Sequence, residues 1–242
     1  MSKTALILNS ADREAMRARW NQHFENRSIT DRKPENRLEI RNSAGDVAEV
    51  LLYDEIGFWG IQAADFVSQL AQITAPAISV RINSPGGSAF DALAMFAALQ
   101  SHPADVTCTV EGWAASAASI IALAGSKMIM APNSMLMIHK ALTVAIGNSD
   151  EMIDTANTLI KLDGQLAAIY AKKSGKDPSE MLGLMKGAVD GTWFNADEAK
   201  AIGLCDEISG EDPDEADPAA TAAAKARMNA MRRRLAMAEV DL

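Results

Sequence analysis

The chain predicts an α/β fold, a mostly parallel sheet covered by helices. Three observations lead there. Short β-branched runs at 77–82 and 106–110 alternate with longer segments of helical period. That rhythm repeats through the middle of the chain, as it does when helices connect parallel strands. A glycine pair, Gly86-Gly87, stands just past the first run, at the strand end where α/β sheets offer backbone donors to a ligand.

Each element follows in order. Residues 10–24 predict a helix started at Ser10, and Asp31-Arg32-Lys33-Pro34-Glu35-Asn36 a linker. Residues 39–41 and 48–53 read as two strands joined by the turn Ser43-Ala44-Gly45-Asp46. Next come a helix at 61–73, the strand 77–82, a helix at 89–100 and the strand 106–110. Residues 114–124 predict a helix rich in small residues, and 127–130 and 135–138 short strands around Pro132-Asn133. Residues 143–148 are more polar and read as an extension off the core. The segment 150–173 predicts a long helix whose apolar residues, among them Ile153, Ile160, Leu166 and Tyr170, lie on more than one side. Such a helix needs the core or a neighbouring subunit to cover it. Helices at 178–186 and 195–202 complete the set, the second capped by Asn195 with Glu198 three residues on. The acidic, proline-punctuated run Glu211-Asp212-Pro213-Asp214-Glu215-Ala216-Asp217-Pro218 predicts a linker without fixed structure. Residues 219–239 are Ala-rich and amphipathic, with Arg232-Arg233-Arg234 near the end; they read as a lone helix or, alternatively, a docking element.

Composition limits the function classes. A chain of 242 residues with 48% apolar content can bury a sizeable core, and 5% aromatics make that core aliphatic. A net charge of −9 argues against a general nucleic-acid binder. Cys108 and Cys205 lie in apolar surroundings and read as buried thiols, not a disulfide. No Cys/His cluster has zinc spacing, so neither metal nor cofactor is expected. The first apolar run is too short for a signal peptide, and the longest, near 114–124, is too short to span a bilayer. The expectation is a cytoplasmic protein with no membrane partner.

The chemistry concentrates in three places. Gly86-Gly87 ends the run Asn83-Ser84-Pro85-Gly86-Gly87, which lacks the spacing of a phosphate loop and by itself is an ordinary turn. Ser116 follows the strand 106–110 and stands at a helix start, where the N–H of Ala117 has no intrahelical acceptor. That resembles the logic of a strand-to-helix nucleophile elbow without its Gly-x-Ser-x-Gly sequence. The competing reading is a small-residue helix packed against the sheet with Ser116 a mere cap; Ser119, one turn on and deeper, ranks second as a nucleophile. Of three histidines, only His139 ends a core element. There an imidazole can accept the Ser116 proton. Lys140 offers a different base, but neighbours on a strand face opposite sides, so at most one of the two meets Ser116. A hydroxyl, an imidazole and free N–H groups are the parts of an acyl-transfer site.

The runs Ile82-Asn83-Ser84-Pro85-Gly86-Gly87, Gly112-Trp113-Ala114-Ala115-Ser116, Pro132-Asn133-Ser134 and Met137-Ile138-His139 resemble, in this order, the Clp protease proteolytic subunit family (peptidase S14 type). Asn195-Ala196-Asp197-Glu198-Ala199, leading to Gly203-Leu204-Cys205-Asp206, resembles its closing helix, and the likeness covers about 48–208. Within it, Tyr53-Asp54-Glu55-Ile56-Gly57-Phe58-Trp59-Gly60 and Thr192-Trp193-Phe194 look most like the bacteriophage branch, the head maturation proteases. The resemblance implies a crotonase-like spiral of ββα units with a protruding handle helix, and homo-oligomeric rings, heptamer-based in the family. It implies Ser116 as nucleophile, His139 as general base and an oxyanion hole from the N–H groups of Gly87 and Ala117. The family's orienting acid would fall on Gly191, a departure that leaves Asp190 as the nearest carboxylate.

The chain thus divides into an extension at 1–36, a protease domain at 37–208 and a linker with helical tail at 209–242. The expected function is an ATP-independent serine endopeptidase that cleaves phage scaffold and coat proteins during head maturation, in the host cytoplasm. Alternatives are a subunit fed by an ATP-driven unfoldase, a ring-forming assembly protein without activity, and, from fold analogy, an acyl-CoA hydratase or isomerase.

Overall fold

A computed structural model describes residues 38–42, 46–57, 60–187, 191–210, 222–224 and 226–230. All belong to one compact unit, Arg37–Leu242. The expected helix at 10–24, the linkers at 31–36 and 211–218, the centre of the turn at 43–46 and the triple arginine fall outside the described residues.

Strands β1 (Leu38–Asn42) and β2 (Val47–Leu52) pair antiparallel, Leu38 opposite Leu52 and Asn42 opposite Ala48. From β2 onward the sheet is parallel, through β3 (Ala77–Ser84) and β4 (Asp105–Ala115) to β5 (Lys127–Met130) and the short β8 (Glu207–Ile208). The crossovers carry helices α1 (Ala63–Leu70), α2 (Ala89–Ser101) and α3 (Ala117–Ala122). Alternation along β3 buries Ile78, Val80 and Ile82, with fully buried Met95 and Leu99 of α2 in the same core. That core is aliphatic, with Phe66, Tyr170 and Phe194 as its large aromatics.

One branch leaves this sheet, and it carries the site. β4 runs to Ala115, five residues beyond the predicted strand and into the predicted helix. The register with β3 shifts between Ile82 and Ser84, beside Gly112, where a Cβ would lie 2.4 Å from the Asn83 side-chain oxygen. Past that irregularity Trp113, Ala114 and Ala115 pair with β6 (Met135–Ile138), so a ladder replaces the first helical turn. β6 in turn pairs antiparallel with β7 (Thr192–Asn195), a strand where the sequence predicts no element before the helix at 195.

Helix α4 (Ser149–Ser174) opens with a capping box between Asn148 and Glu151 and ends at Gly175, whose φ of 68° favours glycine. Its second half is buried through Leu162, Asp163, Leu166, Ala167, Tyr170 and Ala171. The first half is not. Met152, Ile153 and Ile160 are exposed, as are Leu142, Val144 and Ile146 in the segment leading to it. Helices α5 (Pro178–Lys186) and α6 (Ala196–Ala201) follow, the latter with the predicted Asn195–Glu198 capping box. In the tail, residues 222–224 and 226–230 are helical and bury Ala224 and Met228, one turn apart. Met228 joins the main core, which favours docking over a lone helix. Cys108 and Cys205 are free and buried. No helix among the described residues is long and apolar enough to cross a membrane.

Candidate active site

Ser116 connects β4 to α3, and it is the one non-glycine residue with positive φ among the described residues. Its backbone, at φ 55° and ψ −127°, turns the chain too sharply for either element to continue. The turn holds because Ser116 N–H donates to Met137 O at 2.9 Å while Ser119 N–H donates to Ser116 O at 3.0 Å. His139 follows the last residue of β6, next to the strand that delivers Ser116. Nε2 of His139 lies 2.6 Å from Ser116 Oγ. With the proton on Nδ1, Nε2 accepts the hydroxyl hydrogen, which is the arrangement of a nucleophile and its base. Lys140 faces elsewhere, its Nζ 3.8 Å from Asp163 Oδ2.

The glycine turn is pressed onto the same corner. A Cβ on Gly86 would sit 2.3 Å from Ala115 O, 2.7 Å from Ala117 N and 2.8 Å from Ser116 Cβ. No other residue type lets the turn come so close. A buried network holds it there. Ser84 Oγ donates to Asp54 O at 2.7 Å and accepts from Gly86 N–H at 3.1 Å. Ile56 N–H donates to Gly86 O, and Ser88 N–H to Ile56 O. In this parallel bridge both ladder bonds fall to the neighbours of Gly87, so its own N–H points away. Among the described residues the N–H groups of Gly87 and Ala117 have no acceptor. Two unspent donors beside a hydroxyl suit an oxygen that gains negative charge. Ile56, Ser84 and Asp54 lie in runs that carry the resemblance, but the sequence gives them no role at the site, because nothing local marks a loop that reaches a turn thirty residues on.

Gly191 is where the resemblance places the orienting acid, and its surroundings explain the glycine. At φ 92°, a Cβ there would lie 2.3 Å from Ile138 O and 2.5 Å from His139 Cβ. Backbone at 191 packs directly on the histidine's stem. Asp190 lies outside the described residues. On the other side, Lys140 N–H donates to Met185 O at 3.1 Å and Ala141 N–H to Asp163 Oδ1 at 2.7 Å, which pins the chain just past the imidazole.

Beside these groups, Trp113 of β4 and Trp193 of β7 stack across β6, ring centroids 6.1 Å apart and planes 8° from parallel. In the ladders, Trp113 is opposite Met135 and Trp193 opposite Met137, so the indoles flank the strand that leads into His139. Among the described residues no group of three or more His, Cys, Asp or Glu is placed to hold a metal ion.

The sequence profile of the Clp protease family matches residues 35–212. The chain belongs to the Clp protease family. It is similar to the ATP-dependent Clp protease proteolytic subunit of Bacteroides fragilis, 32% identical over 174 residues that make up 67% of this chain and 83% of that protein. The subunit of the same name from Bacteroides thetaiotaomicron is 32% identical over 67% of this chain and 78% of its own. That of Porphyromonas gingivalis is 30% identical, over 67% and 77%. The mostly parallel sheet with helical crossovers is consistent with the α/β fold of Clp proteases. The matched span takes in the glycine turn, Ser116, His139 and Gly191.

Proposed function

We propose that this Clp protease family member is a serine endopeptidase in which Ser116 is the nucleophile and His139 the general base. The 2.6 Å approach of His139 Nε2 to Ser116 Oγ carries the reading. In this mechanism the imidazole takes the hydroxyl proton as Oγ adds to the scissile carbonyl. The negative oxygen then accepts hydrogen bonds from Gly87 N–H and Ala117 N–H. Protonated His139 donates to the leaving amine, and water, deprotonated by the same ring, releases the acyl group. Asp190 is our assignment for the acid that orients the ring, one residue before the glycine that packs on it.

The substrates in this reading are scaffold and coat proteins of a phage head, cut without an ATP-driven partner inside a homo-oligomeric, heptamer-based ring. Two features support it. Segments 53–60 and 192–194 resemble the bacteriophage branch, and stretches at both ends of the chain lie outside the family match at 35–212. A second reading, a subunit fed by an unfoldase, is favoured by the ATP-dependent names of the bacterial relatives.

Reaction with a fluorophosphonate probe tests the chemistry. The expected result is one label on Ser116, lost in Ser116→Ala together with peptide hydrolysis. Absence of label under conditions that support assembly overturns the peptidase reading. Incubation with capsid and scaffold proteins, followed by mass spectrometry, tests the substrate. Discrete cuts without ATP support head maturation, whereas cleavage only with an added unfoldase and ATP supports the second reading.

A further inference from the structure

The second half of α4 places Tyr170 under the nucleophile's turn. Tyr170 is 1% exposed, and its hydroxyl lies 2.7 Å from Oγ of Ser119, a residue with no exposed surface. Ser119 Oγ donates to Ser116 O at 2.5 Å, so its single proton is committed and Tyr170 must be the donor of the pair. Burial pushes the phenol's pKa up, which keeps that donor proton in place. The relay therefore runs one way, from Tyr170 O–H to Ser119 Oγ and from Ser119 O–H to the carbonyl of Ser116.

That carbonyl shares a peptide unit with the N–H of Ala117. The unit is planar and trans, so its C=O and N–H point in opposite directions. Whatever holds the Ser116 oxygen inward, against Ser119, therefore aims the Ala117 N–H the opposite way, out of the core. The holding matters because Ser116 sits in a sparsely populated backbone region, which persists only when its surroundings over-determine it. The rest of this neighbourhood is aliphatic, with Ala117, Ala118, Ile120 and Ile121 all buried. Packing alone is met by alanine and phenylalanine, so the paired hydroxyls answer a requirement other than filling space.

We propose that Tyr170 and Ser119 are positioning residues that aim the Ala117 N–H at the developing oxyanion, so that helix α4 sets the oxyanion hole. The inference rests on the peptidase reading, with Ala117 N–H as one of the two oxyanion donors.

The test uses the full chain and its Tyr170→Phe, Ser119→Ala and double variants. Hydrolysis of a peptidyl-aminocoumarin and inhibition by a peptide boronate, whose adduct places an oxygen in the same hole, are measured together. A lost oxyanion donor costs about 100-fold or more in kcat, so a mis-aimed one is expected to cost roughly 10-fold. Both single variants lose kcat at unchanged KM, boronate inhibition weakens by a similar factor, and the double variant is no worse than either single. The pH midpoint of kcat/KM stays put, because the serine–histidine pair is untouched. Tyr170→Phe keeps the packed ring and decides the matter if Ser119→Ala does not fold. Wild-type kcat in Tyr170→Phe, or a loss confined to KM, overturns the relay. A wild-type chain that neither hydrolyses peptide nor takes a fluorophosphonate at Ser116 overturns the peptidase reading and the relay with it.

Discussion

At the residue scale, position 191 shows how a departure from a family pattern can be a steric requirement. The backbone at Gly191 touches His139, and a side chain would collide with main-chain oxygen before it could reach the ring. Gly191→Asp, which puts a carboxylate where the resemblance places one, is therefore expected to lose activity and to lower the melting temperature. Asp190→Asn, in contrast, is expected to keep the fold and reduce kcat by orders of magnitude, as loss of the orienting acid does in serine hydrolase triads. Steady-state kinetics with a thermal melt on both variants separates these outcomes; a Gly191→Asp enzyme faster than wild type rules out the steric account. Ser116 and His139 were legible because each sits in a recognisable local run at the end of a core strand. The orienting acid is not legible, since the resemblance places it on Gly191 and no periodic signal fixes which neighbouring carboxylate would face the ring.

At the scale of elements, the strongly periodic segments were read from the sequence to within a few residues, helix 178–186 among them. The misreadings cluster at β4 and β7. Ala114 and Ala115 have helical propensity, yet the ladder with β6 keeps them extended, an instance of tertiary pairing overriding local preference. β7 has only four residues and ends on Asn195, the cap of the next helix, so residues 192–194 are too short a run to carry a strand signal of their own. The two cysteines report on how tightly these elements close. Burial raises the Cys108 thiol to about 12 and Cys205 to about 11, from an ordinary value of 9.0. Both stay protonated in the folded state while the unfolded chain ionises above about pH 9, so unfolding is favoured progressively above that pH. Stability against urea is expected to be flat from this source below pH 9 and to fall between 9 and 12, less steeply in Cys108→Ala if the cavity is tolerated. Iodoacetamide at pH 8 is expected to leave both thiols unmodified until denaturant is added, and rapid native labelling contradicts the burial described.

At the scale of the whole molecule, α4 has two unlike halves. One is sealed in the core beneath the site, and the other presents Met152, Ile153 and Ile160 to solvent beside Leu142, Val144 and Ile146. An apolar surface of this kind is typical of an interface, and we assign it to the contact between copies in the proposed ring. Ile153→Glu with Ile160→Glu is expected to shift sedimentation toward smaller species and to cut peptidase activity at low protein concentration, with the isolated fold intact by circular dichroism. Unchanged sedimentation places the interface elsewhere. The stacked indoles of Trp113 and Trp193 give this assembly question an optical handle. Parallel chromophores at a 6.1 Å separation couple their excited states, so ultraviolet ellipticity and emission follow the spacing of the two strands on either side of the histidine's own. The protein carries a built-in gauge of whether its catalytic strands are in register, readable without any dye and while the enzyme is turning over.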